Sequence, residues 1–208
     1  MKLGIVDYGV GNVQSILNAF DRLDLKSIKI SKNKKELTKM DGLILPGVGA
    51  FGACSAKLKK DNLFNILNEL VISKKKPILG ICVGMQLMAN MSEENGCHEG
   101  LGWIPGKVSI IEKKKINLPI PHVGWNNVDI KQSNPIFEGI TNKSHFYFDH
   151  SYHYLCEKKY VIATCKYGTN LNVAIGYKNI FGVQFHPEKS SLAGLRLYRG
   201  FMNYVAQC

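Results

Sequence analysis

Three short apolar runs in the first half of the chain each lead through a glycine-containing turn into a helical pattern. The runs are Lys2–Val6, Gly42–Leu45 and Pro77–Ile81, with a fourth, Leu25–Ile30, between the first two. Apolar spacing predicts helices after the turns, through about Leu23, over Ala53–Ile72 and over Val83–Met91. Short apolar strands that alternate with helices are typical of a parallel sheet with both faces covered. The first half therefore predicts an α/β fold on a central, mostly parallel sheet with helices on both faces.

The second half of the chain has a different sequence pattern, in which short β-like runs are separated by Gly, Asn, Lys and Pro. The runs are Lys107–Ile111, Val128–Ile130, His145–Phe148, Tyr160–Thr164, Asn172–Ile175 and Ile180–Phe185. A long helical stripe of apolar residues returns only at Ser190–Val205. We therefore expect an additional antiparallel β portion closed by a C-terminal helix. Since neither a linker nor a repeat separates the halves, residues 1–208 are predicted to form a single domain.

Composition narrows the classes of function. There is no apolar stretch of about 18 residues and no charged region followed by an apolar one at the N-terminus, so we expect neither a membrane span nor a signal peptide. The six cysteines include no C-x-x-C pair, which favours a reduced, cytoplasmic protein without a structural metal. The net charge of +11 comes mainly from lysines in small separate clusters, such as Lys113–Lys115. Solvated surface lysine explains this pattern better than a nucleic-acid site.

A cysteine stands between two glycines where the run Pro77–Ile81 gives way to a helical pattern, in the sequence Gly80-Ile-Cys82-Val-Gly84-Met-Gln86. Glycines at these positions allow a sharp strand-to-helix corner with a reactive side chain at its tip. The helix N-terminus favours a thiolate there, and Gln86 lies one helical turn further on, on the same side. We interpret Cys82 as a candidate nucleophile. The alternative is a small buried cysteine in a tight turn.

Two glycine-rich loops resemble phosphate-binding turns. Gly47-Val-Gly49-Ala-Phe-Gly52 matches G-x-G-x-x-G between a strand and a helix, and Gly9-Val-Gly11 matches it in part. A dinucleotide site also needs an acidic residue about 20 residues further on. That position falls near Glu69, inside a predicted helix, or near Ile30, where there is no acid. We therefore expect no nucleotide cofactor; the backbone N–H groups of such a loop can instead stabilise an oxyanion.

Among the six histidines, only His186 lies where a strand ends, in the sequence Gly182-Val-Gln-Phe-His186-Pro-Glu188. In an extended chain residues i and i+2 project to one side, so His186 and Glu188 are predicted to face together. A carboxylate beside an imidazole orients it as the base that a cysteine nucleophile needs. Taken alone, the pair could be a surface ion pair. Because Cys82 and His186 both follow predicted strands, at the edge where open α/β sheets place their sites, we predict that they meet.

The two motifs together resemble those of the class I (triad) glutamine amidotransferases. Further segments, spread over essentially the whole chain, are similar to those of the glutaminase subunits of imidazole glycerol phosphate synthases: Asp7–Asn12, Pro46–Phe51, Pro121–Asn126, His150–Tyr152 and Gln184–Ser190. The resemblance implies a flavodoxin-like fold, hydrolysis of L-glutamine to glutamate and ammonia, and no cofactor. It also implies a heterodimer with a cyclase (β/α)8-barrel subunit, which uses the ammonia in histidine biosynthesis to make imidazole glycerol phosphate and AICAR from PRFAR.

The resemblance assigns roles residue by residue. Cys82 would be the nucleophile, His186 the general base and acid, and Glu188 the group that orients His186. The remaining assignments are Gly47, Val48, Gly49 and Val83 for the oxyanion, Gln86, Glu94, His150 and Ser151 for the substrate glutamine, and Asn12, Tyr147 and Lys189 for the partner interface.

Two positions depart from the family's pattern. Val83 replaces a more common leucine, which matters little because this residue contributes its backbone. Asp149 stands beside the partner face where an apolar residue is expected, so its charge can alter docking. One alternative within the family is a paralogous glutaminase that supplies ammonia to a sugar amidotransferase of surface-glycan synthesis. Two more distant alternatives are a cysteine hydrolase or peptidase on the same fold and a non-catalytic scaffold.

Overall fold

The computed structural model describes residues 1–112 and 117–208, so the lysine cluster at 113–115 lies outside it. The elements of the first half are β1 (Leu3–Val6), α1 (Val13–Asp21), β2 (Ile28–Ser31), α2 (Lys34–Thr38), β3 (Gly42–Leu45), α3 (Phe51–Lys60), α4 (Leu63–Asn68), β4 (Ile78–Ile81) and α5 (Val83–Gln86). They are followed by β5 (Met91–Ser92), β6 (His98–Glu99), β7 (Gly106–Ile110), β8 (His122–Asn127), β9 (Asp129–Ile130), β10 (His145–His150), β11 (Tyr152–Cys156), β12 (Val161–Tyr167), β13 (Thr169–Tyr177), β14 (Ile180–Val183) and α6 (Ser191–Ala206).

The largest sheet has eight strands in the order β2-β1-β3-β4-β14-β13-β12-β9. Neighbouring strands from β2 to β14 are parallel, and β13, β12 and β9 continue the sheet in antiparallel pairing. Every residue of β1, β3, β4 and β14 is buried, as expected for parallel strands covered on both faces. The predicted α/β fold with an antiparallel portion in its second half is confirmed.

Two smaller sheets complete the second half. Strands β8 and β10 form an antiparallel ribbon, and a four-stranded sheet has the order β11-β7-β5-β6. Only Ser151 separates β10 from β11, so the two sheets are directly joined. A bridge between Tyr147 and His186 ties the ribbon to the chain that leaves β14. The sequence did not predict β8 or β11, because their polar, glycine- and histidine-containing sequences lack an apolar run.

The predicted helix over Ala53–Ile72 is wrong as a single element. Helix α3 ends at Lys60, and Asn62 takes a left-handed conformation with φ of 55° before α4 begins. A π-helical turn over Glu69–Ser73 completes the segment. The apolar positions of this stretch still face the core, which is why its periodicity resembled one continuous helix.

Helix α5 is also shorter than predicted, ending at Gln86 rather than at Met91. Beyond it, the Leu87 and Ala89 carbonyls accept hydrogen bonds from the N–H groups of Leu101 and Gly102 instead of continuing a helical ladder. The short α2 was not predicted. None of the helices in the described part of the chain combines the length and apolarity needed to cross a membrane.

Candidate active site

Strand β4 runs into the corner that carries Cys82, and the corner has the sharp geometry that its glycines predict. Cys82 has φ of 53° and ψ of −113°, which non-glycine residues rarely adopt. A Cβ on Gly84 would lie 1.9 Å from the Leu45 carbonyl oxygen, and one on Gly80 would lie 2.6 Å from the Gly84 carbonyl oxygen. The corner therefore requires both glycines, and it places the cysteine at the start of α5.

His186 lies just beyond β14 and is fixed through both its backbone and its ring. Its N–H donates to the Tyr147 carbonyl at 2.9 Å. Its Nδ1 lies 2.9 Å from Oε1 of Glu188, and the two side chains are only 5% and 1% exposed. The pair faces together as predicted, but through a 3₁₀ turn over Pro187–Lys189 rather than an extended chain.

The charge of His186 follows from these contacts. Burial alone would lower the pKa of His186. Hydrogen bonds to the Cys82 sulfur and to Glu188 act in the opposite direction, as do the negative charges of both groups. These interactions outweigh burial and raise the pKa to about 10. His186 is therefore an imidazolium at neutral pH. Because Glu188 occupies Nδ1, the other ring nitrogen, Nε2, is the one available to Cys82. The structure thus brings the three predicted side chains together.

A tyrosine of α6 lies behind the carboxylate. Oε2 of Glu188 and the hydroxyl of Tyr198 are both buried, and the two side chains interact. Burial, together with the nearby charge of Glu188, raises the pKa of Tyr198 well above its usual value. The hydroxyl therefore stays protonated beside the carboxylate.

The loop after β3 lies against the cysteine corner. A Cβ on Gly47 would lie 2.6 Å from the backbone nitrogen of Gly84, so the two segments are in direct contact. Gly49 has φ of 84°, in the left-handed region that favours glycine, and Val48 is 38% exposed beside it. The loop that the resemblance assigns to the oxyanion is therefore next to the nucleophile.

Two buried side chains hold this loop in place. The Tyr8 hydroxyl donates to the Pro46 carbonyl at 2.5 Å, and the Cys54 thiol donates to the Val48 carbonyl at 3.5 Å. Burial raises the pKa of both groups, so both stay protonated and keep donating. The sequence analysis assigned neither residue to the site.

A cavity of about 320 Å³ opens at the corner, a size that suits a small metabolite. Its wall includes most of the predicted site residues: Val48, Gly49, Cys82, Val83, Gln86, Glu94, His150, Ser151, His186 and Lys189. Pro121, Asp149 and Tyr152 complete the lining. Of the other predicted residues, Gly47 and Glu188 pack behind the wall, and Asn12 and Tyr147 lie outside it. Within residues 1–112 and 117–208, no three potential ligands are grouped to hold a metal ion.

Two of the residues assigned to the substrate already hydrogen-bond to the protein through their side chains. The Gln86 amide donates to the Tyr152 carbonyl at 3.3 Å and to Oε1 of Gln184 at 3.0 Å. Oε2 of Glu94 accepts the Phe51 N–H at 2.6 Å, at the start of α3. Both contacts fix the cavity wall, and the substrate roles of these residues stay predictions.

His150 belongs to a buried histidine pair that the sequence analysis missed. Nδ1 of His122 lies 3.1 Å from Nε2 of His150, and Nδ1 of His150 lies 2.8 Å from the Tyr152 carbonyl oxygen. Burial lowers the pKa of His122 to about 4 and that of His150 to about 3, so both rings are neutral. His122 is stacked between Phe148 and Tyr167, with centroid distances of 4.6 and 4.0 Å.

Gln184 is a second residue that the sequence analysis did not single out. Its Nε2 donates to the Cys82 sulfur at 3.7 Å. A signal for it existed, because Gln184 and His186 are two residues apart at the end of one strand and project to the same side. No comparable signal marked His122, since its strand was not predicted.

Of the residues assigned to the partner interface, Lys189 lines the cavity and Tyr147 lies beside it. Nζ of Lys189 is 5.1 Å from the centroid of the Tyr147 ring, and the Trp125 ring is 6.2 Å from the same ring. Trp125 and Val123 on β8 are 53% and 54% exposed. We call Val123, Trp125 and Tyr147 the β8 patch. Asn12 precedes α1 without capping it through its side chain. Grouped exposed apolar side chains of this kind mark interaction surfaces.

Comparison with known proteins agrees with this geometry. The sequence profile of the family described as glutamine amidotransferase class-I matches residues 4–202. The imidazole glycerol phosphate synthase subunit HisH 2 of Vibrio vulnificus (strain YJ016) is 44% identical, over 99% of this chain and 95% of that protein. The imidazole glycerol phosphate synthase subunit HisH of Pelagibacter ubique (strain HTCC1062) is 43% identical, over 98% of this chain and 100% of that protein.

Solved structures share the fold at lower identity. A putative GMP synthase subunit from Thermoplasma acidophilum has a TM-score of 0.75 and 21% identity, covering 100% of this chain and 94% of that one. A structure described as a glutamine amidotransferase has a TM-score of 0.77 and 18% identity, covering 99% of this chain and 100% of that one. At these identities the likeness concerns the fold alone.

Proposed function

Because this chain belongs to the class I glutamine amidotransferase family, we propose that it is the glutaminase subunit of an imidazole glycerol phosphate synthase. In this role residues 1–208 form one amidotransferase domain that hydrolyses L-glutamine to glutamate and ammonia for histidine biosynthesis. The observation that carries the proposal is the row of contacts from the Cys82 sulfur through His186 to Glu188 at the cavity. The names of the relatives favour this pathway over sugar amidation.

The first half of the reaction breaks the amide. The Cys82 thiolate attacks the side-chain carbonyl carbon of glutamine, so a C–S bond forms and the oxygen becomes an oxyanion. In this proposal backbone N–H groups of Val83 and of the Gly47–Gly49 loop, which contacts the cysteine corner, stabilise that oxygen, and one such donor contributes about 3–4 kcal/mol. The His186 imidazolium then gives its Nε2 proton to the nitrogen, and the C–N bond breaks to release ammonia.

The second half of the reaction restores the enzyme. Neutral His186 takes a proton from water while the water oxygen attacks the thioester carbon. The C–S bond then breaks, glutamate leaves, and the thiolate–imidazolium pair is recovered. Glu188 stabilises the imidazolium each time it forms, and this acid–base step contributes about 10²–10⁴-fold to the rate.

The cavity wall suggests how glutamine is held. The Glu94 carboxylate would attract the α-ammonium group of the substrate, and Ser151 lies on the same wall. Gln86 and His150 fix the shape of the wall in this proposal through the hydrogen bonds of their side chains. Because Oε2 of Glu94 accepts the Phe51 N–H, its other oxygen, Oε1, would be the one that meets the ammonium group.

A glutaminase assay tests the activity. In the presence of the cyclase subunit and its phosphoribosyl substrate, Cys82→Ala should abolish ammonia release, whereas the control Cys97→Ala, at an exposed cysteine outside the cavity wall, should retain it. The family resemblance predicts that the chain alone is nearly idle until the cyclase subunit binds with its phosphoribosyl substrate. Full activity of Cys82→Ala would refute the assignment, and strong turnover by the chain alone would refute the dependence on a partner.

We propose that the cyclase barrel docks on the β8 patch, with Asn12 and Lys189 beside it, so that ammonia leaves the cavity into the partner. Trp125→Ala should weaken the complex by about 2 kcal/mol or more, since aromatic anchors dominate interfaces. Tyr177→Ala is the control, because Tyr177 is 43% exposed but lies where β13 pairs with the start of β14, not its end. Equal affinities in a binding titration would exclude this docking face.

All six cysteines are free, which supports a cytoplasmic location.

A further inference from the structure

A row of hydrogen bonds between polar groups runs from β8 to the Cys82 sulfur. It comprises Asn126 Nδ2 to His122 Nε2 (3.4 Å), His122 Nδ1 to His150 Nε2 (3.1 Å), His150 Nδ1 to the Tyr152 carbonyl (2.8 Å), Gln86 Nε2 to the same carbonyl (3.3 Å), Gln86 Nε2 to Gln184 Oε1 (3.0 Å) and Gln184 Nε2 to Cys82 Sγ (3.7 Å). We call this row the relay. Its two histidines and two glutamines are each no more than 6% exposed.

One backbone carbonyl fixes the direction of the donors on the histidine side. The Tyr152 carbonyl can only accept, so His150 carries its proton on Nδ1. Since the low pKa of each ring keeps it neutral, the other nitrogen of His150, Nε2, accepts. His122 must then donate from Nδ1 and accept the Asn126 amide at Nε2.

The same carbonyl fixes the direction on the side of the nucleophile. Gln86 donates one amide N–H to the Tyr152 carbonyl and the other to Oε1 of Gln184. With its oxygen held in this way, the Gln184 amide presents its NH2 group to the Cys82 sulfur. An N–H donor held against a thiolate stabilises the charged form and fixes the position of the sulfur.

We infer that Gln184 is a catalytic residue that holds the Cys82 thiolate, and that Gln86, His150 and His122 are positioning residues that keep its N–H group aimed at the sulfur. The inference takes its setting from the proposed glutaminase function, but it concerns the reactivity of the thiol itself. It can therefore be tested without glutamine.

Several other ionisable groups surround the sulfur and must be held constant in the test. His186, backed by Glu188, contacts the sulfur directly, and the rest are Tyr8 and Cys54 under the loop and Glu94, Asp149 and Lys189 on the cavity wall. Because these groups are the same in every variant, a difference between pH profiles reports the relay.

The experiment measures the rate at which iodoacetamide alkylates Cys82 as a function of pH, followed by mass spectrometry of the peptide that contains it. Gln184→Met keeps the approximate size of the side chain and removes the N–H donor without adding an ionisable group. We expect the pH of half-maximal alkylation to rise by about one unit, which is a tenfold loss of thiolate at lower pH. In the glutaminase assay, kcat should fall while KM changes little.

A second variant interrupts the relay at a distance from the sulfur. His122→Phe keeps an aromatic ring between Phe148 and Tyr167 but removes the donor to His150. Its alkylation midpoint should rise in the same direction by a smaller amount. Tyr167→Phe, in the same stack but outside the relay, should match the wild type.

The outcomes separate the parts of the inference. Unchanged midpoints in both variants, each shown by circular dichroism to be folded, would overturn it. A shift in Gln184→Met alone would support the role of Gln184 and refute the positioning role of the histidines. If Gln184→Met does not fold, the result for His122→Phe decides. A wild-type chain that alkylates as expected but hydrolyses no glutamine, even with the cyclase subunit, would refute the proposed function and leave the relay intact.

Discussion

Replacing His122 by phenylalanine should make the folded protein less sensitive to acid. In the folded chain burial holds the pKa of His122 at about 4 and that of His150 at about 3. An unfolded histidine has a pKa of about 6.5, so between these values the unfolded state binds more protons than the folded state. The stability that the neutral rings contribute is therefore complete above about pH 6.5 and is lost as the pH falls toward about 4.

The size of the effect follows from proton counting. A histidine that takes up one proton on unfolding lowers the free energy of unfolding by about 1.4 kcal/mol per pH unit. His122 and His150 are only 2% and 6% exposed, in agreement with neutral rings in the folded state over this range. His186 adds little in this range, because it is protonated in the folded state, where its pKa is raised to about 10, and mostly protonated in the unfolded state below about pH 6. Together the pair should contribute about 2–3 kcal/mol per pH unit between about pH 6 and 4.5, and His122→Phe should remove about half.

Urea unfolding followed by circular dichroism at several pH values measures this slope directly. The absolute stability of His122→Phe should also be lower at neutral pH, because Nε2 of His150 loses its donor. The slope is the decisive quantity, and Tyr167→Phe, with no titration in this range, should keep the wild-type slope. Equal slopes for His122→Phe and the wild type would refute the reasoning, because they would mean that His122 takes up no proton on unfolding.

Three further substitutions test the corner and the triad. Gly84→Ala places a Cβ 1.9 Å from the Leu45 carbonyl oxygen, so thermal melting should show a loss of more than about 3 kcal/mol, and an unchanged melting temperature would contradict the corner geometry. Glu188→Gln removes the charge that supports the His186 imidazolium, so kcat should fall about 10²–10⁴-fold and the pKa of His186, followed by NMR, should drop; a wild-type rate would count against the triad. Ser190→Ala removes a 2.6 Å hydrogen bond to the His186 carbonyl and should cost about 1–3 kcal/mol in urea unfolding, whereas no loss would show that the turn is held by other contacts.

The parallel part of the fold was predictable because its strands are buried on both faces. Four strands of the central sheet have no exposed residue, so each appears in the sequence as an uninterrupted apolar run. Strand β8 alternates exposed positions with buried or half-buried ones and contains Gly124 and two asparagines, so its pairing with β10 depends on tertiary contacts. The break at Asn62 was also hidden, because the helical periodicity of the apolar residues continues across it.

The site residues also fall into those that a local sequence pattern predicts and those that only the tertiary structure brings together. Cys82 and His186 carry local signals, a glycine-flanked corner and a strand end, so each was recognisable from its neighbours in the sequence. The relay as a whole carries no such signal. Gln184 shares a strand end with His186, but it is 98 residues from Gln86 and 102 residues from Cys82. Only the parallel pairing of β4 with β14 brings these amides to the same place. The direction of the hydrogen bond between His122 and His150 depends further on the Tyr152 carbonyl. A pattern of side chains in the sequence does not reveal such a backbone contact.

Strand β8 uses its two faces for different purposes. Val123 and Trp125 point outward to solvent, whereas His122 and Asn126 point inward and begin the relay. Because side chains alternate along a strand, a slip of one residue in its register would bury the tryptophan and expose the histidine. An insertion or deletion here would therefore disturb the proposed docking surface and the relay at once. Adaptation of this surface to a new partner is confined to replacing the outward side chains one at a time, with the length of the strand preserved.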